Sequence, residues 1–225
     1  MRIRSKKLEI LDQDCITPSE INTSLDFMVK VNKYLGGSKA IINYFETYAK
    51  EDALRIVDLG CGSGDIPFAL VQWAKKRNKK ISIIALDINP HCLQYAQSHY
   101  ATPEIEYKNH SAFEFNTLGQ FDYAISSMFF HHLTDEKIIQ LLQLMQEHCK
   151  QGFIINDLER HALAYMGVGL LATTTLNKIV LHDSTLSVAR AFRENNWSDY
   201  AHKAGIKNAL IYKAPMYRIM MGAHV

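Results

Sequence analysis

The run Ile56-Val57-Asp58-Leu59-Gly60-Cys61-Gly62-Ser63-Gly64-Asp65 constrains this chain more than any other stretch. A short apolar segment ends in a turn with glycine at every second position, and a helical pattern opens at 66–76. Glycine adopts positive φ without a Cβ penalty and lets the backbone come within contact distance of a ligand. A turn of this kind, at the carboxyl end of a first strand, lies at the switch point of an open α/β sheet. Its spacing narrows the ligand. A dinucleotide site needs G-x-G-x-x-G and a phosphate loop needs Gly-Lys-Ser/Thr, and the turn has neither. Asp58 and Asp65 flank it, and carboxylates there repel a pyrophosphate. They favour a ligand that carries positive charge.

The residues after this turn alternate between two periodicities. Strands are predicted at 55–59, 81–87, 105–109, 121–126 and 152–156, with helices at 66–76, 90–100 and 135–149. Such alternation specifies a parallel sheet with helices on both faces. The nearly unbroken apolar run at 81–87 suits a strand covered on both sides. Residues 1–50 read as helical, broken at Gly36-Gly37. Residues 157–195 interrupt the rhythm with helical, apolar-rich sequence, and a short helix is predicted at 198–203. Two β-rich runs, 209–213 and 216–221, joined at Lys-Ala-Pro, signal a hairpin whose last strand enters the sheet antiparallel. The expected fold is a Rossmann-like α/β domain at 51–225. Its seven strands are mostly parallel, with an N-terminal helical cover at 1–50 and a lid at 157–195.

Composition removes several function classes. Lys and Arg total 25 against 23 Asp and Glu, a net charge of +2, so no whole-chain field suits a nucleic-acid backbone. The basic run Lys75–Lys80 lacks interleaved aromatics and reads as a solvated loop. No apolar run reaches the roughly 18 residues of a membrane span. The start MRIRSKKLEILDQD is basic but has no apolar stretch of the secretory kind. Cys15, Cys61, Cys92 and Cys149 are far apart and form no CxxC pair, so neither a disulfide framework nor a metal site is expected, and the thiols suit a cytoplasmic protein.

Asp87 closes the second predicted strand, 23 residues after Gly64, where a carboxylate can accept both hydroxyls of a ribose, and Ile88 beside it can lie against a purine. Asp58-Leu59-Gly60-Cys61-Gly62-Ser63-Gly64 together with Asp87 resembles the class I S-adenosylmethionine-dependent methyltransferases of small-molecule type. The resemblance covers about residues 50–225, including the closing hairpin. It implies S-adenosylmethionine as methyl donor and S-adenosylhomocysteine as product. It also implies that Asp58, Gly60, Gly62 and Gly64 meet the methionine part, and Cys61 and Asp65 in the same turn are taken as cofactor-binding with them. In many members the third strand ends in an acid that takes the adenine amino group; here Ser111 occupies that place, with Ala112 next, and Asn109 is an alternative. Ser126 and Ser127, after the fourth strand, would lie along the methionine chain.

Catalytic candidates follow from the same edge of the sheet. A hydroxyl acceptor must lose its proton as the methyl arrives, and histidine can take it near neutral pH. His131 and His132 are adjacent, so at most one is expected to face the pocket; His132 is the candidate. Asp157 and His161, after strand five, are further candidates, because ionisable groups with tuned pKa values cluster in pockets. Residues 157–195 are expected to cap the pocket, excluding water and aligning the reactants. Their apolar side chains, Leu163, Tyr165, Met166, Leu170, Leu171 and Leu176, suit either a lipophilic acceptor or a packed core. The segment Leu8–Gly37 resembles a leader found in one bacterial subgroup, which would put Asn32 and Tyr34 in the pocket wall. The expected activity is methylation of a small, lipophilic acceptor on oxygen, by a monomer or homodimer. The alternatives are methylation of carbon in an activated ring, or cofactor binding without chemistry.

Overall fold

The structure, a computed structural model, describes residues 1, 3–12 and 16–224. Cys15 lies outside the described residues; Cys61, Cys92 and Cys149 are free thiols. In chain order the elements are α1 (Pro18–Tyr34), α2 (Gly37–Tyr48), β1 (Ala53–Leu59), α3 (Asp65–Lys76), β2 (Lys80–Asp87), α4 (Pro90–Tyr100) and β3 (Ile105–Asn109). There follow β4 (Phe121–Ser127), α5 (Asp135–His148), β5 (Cys149–Leu158), α6 (Ala162–Thr173), α7 (Lys178–Arg190), α8 (Glu194–Lys203), β6 (Ala209–Ala214) and β7 (Arg218–His224).

The seven strands form one sheet in the order β3-β2-β1-β4-β5-β7-β6. β1 to β5 pair in parallel. β7 runs antiparallel between β5 and β6, so β6 points the same way as the first five. This is the Rossmann-like sheet with an antiparallel final strand that the sequence predicts. Successive residues of a strand face opposite sides, and β1 divides accordingly. Val57 joins a core with Phe115, Phe130 and Trp197, while Ile56 joins one with Tyr44, Phe45 and Trp73. Burying each such side chain is worth about 1.5–3 kcal/mol. Trp197 is fully buried, with its ring 4.5 Å from Phe192 and 5.7 Å from Phe130. That stack seats α8 against the sheet.

A third layer crosses the carboxyl ends of the strands. α1 starts with a Thr17–Glu20 capping box and is separated from α2 by Gly36 at φ +77°. Its Phe27 and Val31 pack on Ala172 of α6 and Val180 of α7, and its Ile21 and Leu25 on Tyr95 of α4. Residues 4–12 are strapped alongside. Ser5 N donates to Ala189 O (2.9 Å), and Ile10 N and Leu11 N both donate to the Asp183 carboxylate.

The packed-core reading of Leu163, Tyr165, Met166, Leu170, Leu171 and Leu176 is not met. These α6 side chains and Leu176 face solvent, whereas Val180, Leu186, Val188 and Phe192 of the same segment are buried. Leu163, Met166, Leu170 and Leu176 are 56%, 67%, 74% and 94% exposed, and Ala172 is the buried residue of α6. α6 is apolar on all sides, so only the narrow stripe that touches α1 and α7 is covered. Tyr34 likewise faces solvent, at 71% exposed. Among the described residues, no helix is long and apolar enough to cross a membrane.

Candidate functional site

The glycine turn is suspended from its neighbouring strand. Gly60 N and Cys61 N both donate to Leu86 O, at 2.9 and 2.8 Å. Gly60, Gly62 and Gly64 have φ of +73°, +49° and +78°, a region that strains other residues. The lack of side chains is used as well. A Cβ on Gly64 would stand 2.7 Å from Ala96 Cβ, and one on Gly60 2.6 Å from the Phe129 ring. Met28 of α1 closes over Gly62, its methyl 3.3 Å from where a Cβ would be.

Three carboxyls converge on this turn. Asp87 accepts from Gly62 N and from Asn89 N, each at 2.9 Å, and so ties the turn to the end of β2. Asp65 opens α3, where the helix dipole favours an anion. It accepts from Ser63 Oγ at 2.7 Å and from Asn32 Nδ2 at 3.3 Å. Asp58, in the central strand, is 1% exposed, and neither of its carboxyl oxygens has a hydrogen-bond partner. Burial, reinforced by Asp65 and Asp87, pushes its pKa well above the usual carboxylate range; burial also raises Asp65 and Asp87. Buried carboxyls are normally hydrogen-bonded, and one without a partner costs several kcal/mol or takes up a proton. A bound cation relieves that cost, so the site fits a ligand with an ammonium group.

The remaining cofactor candidates divide. Ile88 is 74% exposed beside Asp87, free to meet a flat ring. Ser111 caps the 3-10 turn Ala112–Leu118 by accepting from Phe113 N. Asn109 Nδ2 donates to Asp87 O and Ile88 O, holding the end of β2 in place. Ser126 is fully buried and donates to Leu59 O at 2.8 Å, so its hydroxyl braces β4 against β1. Ser127 Oγ accepts from Asn156 Nδ2.

The catalytic candidates lie in different surroundings. Asp157 is fully buried; it accepts from His131 Nδ1 at 2.7 Å, from His131 N and from Leu158 N. Burial alone would raise its carboxyl, but His131 and these bonds hold it below the usual range. His132 sits beside Asp12, Nδ1 to Oδ1 at 3.0 Å, with its side chain 26% exposed. His161 caps α6 by accepting from Leu163 N and stacks on Tyr217 at 4.8 Å. It lines a cavity of about 410 Å³ with Glu159, Arg160, Arg193 and Lys213. That cavity includes none of the cofactor candidates, so His161 stands apart from the acids of the glycine turn.

Two features had no signal in the sequence. Arg218 of β7 is buried and donates to Leu35 O and to Asn32 Oδ1, joining the hairpin to the α1 roof. Burial lowers its guanidinium to about 10. Glu9, from the strap, approaches the His131–His132 turn. Both come from sequence separations above 120 residues, beyond any local pattern.

Residues 56–152 match the methyltransferase-domain family. No curated protein matches the sequence. Among solved structures, a proposed O-methyltransferase of Nostoc punctiforme PCC 73102 is similar at TM-score 0.61 and 15% identity, over 88% of this chain and 60% of that one. Human N-acetylserotonin methyltransferase, solved with S-adenosylmethionine, gives 0.64 and 17% over 92% and 56%. The plantazolicin methyltransferase BamL, solved with a triazolic desmethylPZN analog and S-adenosylhomocysteine, gives 0.65 and 12% over 91% and 88%. The chain thus spans 60% and 56% of the length of the first two. Residues 56–152 thus match a methyltransferase domain in sequence, and the chain shares over most of its length the fold of methyltransferases solved with S-adenosylmethionine or S-adenosylhomocysteine.

Proposed function

We propose that this protein transfers a methyl group from S-adenosylmethionine to an oxygen of a small, lipophilic acceptor. The observation that carries the reading is Asp58, a buried carboxyl without a hydrogen-bond partner beside three glycines at positive φ. When bound, S-adenosylmethionine supplies a methyl group already activated on a sulfonium. Asp58 and Asp65 hold the amino-acid end through its positive charge. The backbone of Gly60, Cys61, Gly62 and Gly64 gives it room. Asp87 accepts from the ribose hydroxyls, and Ile88, Ser111 and Ala112 meet the adenine. Ser127 lies along the methionine chain, and Ser126 fixes the distance between β1 and β4.

Little chemistry then falls to the protein. Holding acceptor and donor in line can be worth an effective molarity of about 10⁵–10⁸ M. His132 is the group we place to take the acceptor proton, with His161 as the second candidate. Asp157 acts through His131, orienting the turn that carries His132. Oxygen as the acceptor atom follows the Nostoc neighbour, described as an O-methyltransferase. A small acceptor follows the ligands and names of the human and plantazolicin enzymes.

The test is turnover of S-adenosylmethionine carrying a labelled methyl group with a panel of phenolic and lipid acceptors. S-adenosylhomocysteine and labelled product are followed by mass spectrometry. Label on oxygen is the expected result, with His132→Ala and His161→Ala assayed side by side and one nearly inactive. Label on ring carbon moves the reading to an activated ring. Tight donor binding with no turnover across the panel makes the chain a binding protein instead.

A further inference from the structure

We propose that Glu9, His131 and His132 form a site for one divalent transition-metal ion of the zinc class. The strap supplies one ligand, and the turn after β4 supplies two. The site stands on its own geometry and needs no methyl transfer.

The ligand atoms of the three residues all lie within 4.8 Å of one another. His131 Nε2 is 3.6 Å from Glu9 Oε1, and His132 Nε2 is 3.9 Å from Glu9 Oε2. Both distances exceed the range of about 2.7–3.2 Å for an N–H···O hydrogen bond. They are close to the edge of about 3.4 Å of a tetrahedron with metal–ligand bonds of about 2.1 Å.

The orientation of each imidazole is fixed from behind. His131 Nδ1 is 2.7 Å from Asp157 Oδ1, and His132 Nδ1 is 3.0 Å from Asp12 Oδ1. With a carboxylate oxygen behind each Nδ1, the Nε2 atom of each ring is the one turned toward the Glu9 carboxylate. A carboxylate on the far nitrogen is the usual support of a metal-bound histidine.

The frame is rigid. His131 N donates to Asp157, Arg190 donates to His131 O and His132 O, and Arg4 donates to His131 O and Leu133 O. Ser187 Oγ donates to Glu9 Oε1 at 2.9 Å. The side chains of His131 and Glu9 are 2% and 4% exposed, against 26% for His132. The ligands are therefore buried, with one open side. Two imidazoles and a carboxylate suit zinc over calcium or magnesium, which prefer all-oxygen sites. Three protein ligands leave a fourth position for a hydroxyl or water.

The test uses the full chain, stripped with a chelator and dialysed, then titrated with Zn²⁺ by calorimetry and with Co²⁺ by visible absorption. One equivalent should bind, with the absorption of a four-coordinate cobalt ion and no thiolate band. Asp12→Asn, behind a ligand, should weaken Zn²⁺ by about 10–100-fold. Glu9→Gln and His132→Gln should weaken it further while circular dichroism stays unchanged. Three outcomes overturn the proposal: no stoichiometric binding, affinity unchanged in both ligand variants, or a cobalt–thiolate signature that places the ion on a cysteine.

Discussion

Asp58→Asn tests whether the buried acid is kept for a ligand and not for the fold. Asparagine preserves the shape and removes the charge. In the unliganded protein the carboxyl has no hydrogen-bond partner and faces Asp65 and Asp87. Removing an unsatisfied buried charge recovers about 1–3 kcal/mol, less what the new amide loses by staying unpaired. A net gain of about 1–2 kcal/mol raises Tm by about 2–8 °C in a chain of this size. The gain has a definite pH dependence. A carboxyl whose folded pKa is raised costs nothing below its unfolded pKa of about 3.9, and its cost grows as pH rises through the folded value. The stabilisation of the variant over the parent should therefore grow with pH. Donor affinity should move the other way. Loss of a charge-assisted contact worth about 1.5–3 kcal/mol weakens S-adenosylmethionine about 10–150-fold. Scanning calorimetry from pH 4 to 8 and titration calorimetry with S-adenosylmethionine measure both. A variant that melts earlier than the parent and binds the donor equally well would refute the argument.

Three further outcomes are expected. Gly64→Ala combines a φ of +78° with a contact of 2.7 Å to Ala96 Cβ and should destabilise by about 1–3 kcal/mol in urea titrations; an unchanged midpoint counts against it. Because burial raises Asp58, Asp65 and Asp87 together, binding a cation should lower all three and release protons. Donor affinity then rises with pH over the acidic range, and calorimetry in buffers of different ionisation enthalpy reads the release directly; buffer-independent heats argue against it. Asp87→Ala removes the acceptor for Gly62 N and Asn89 N as well as the proposed ribose contact, so donor affinity should fall at least about tenfold, and unchanged affinity removes the ribose role.

Local chemistry made most of the sheet readable. The predicted strands at 81–87 and 105–109 match β2 and β3 to within a residue because their ends are marked by charged or turn residues. The hairpin turn was displaced. Met216 and Tyr217 both adopt positive φ, at 62° and 56°, where Asn or Gly is the usual signal, so β7 starts at Arg218. α8 begins at Glu194, four residues earlier than its predicted start, because Arg193 N donates to Asn196 Oδ1. The acids of the glycine turn were legible from spacing alone. The Glu9–His131–His132 meeting was not, since Glu9 is one acid in an ordinary basic leader and reaches the turn only through tertiary packing. The exposure of the α6 side chains is illegible for the converse reason: apolar composition specifies burial only where a partner surface exists.

The place of β7 has a consequence for how the molecule is made. It is inserted between β5 and β6, yet it follows both in the chain, and its Arg218 supplies bonds to Leu35 O and Asn32 in the first forty residues. During synthesis the nascent protein can lay down five neighbouring strands but leaves the rim of β5 open until the closing segment clears the ribosome. The roof over the glycine turn gains its Arg218 anchors at the same moment.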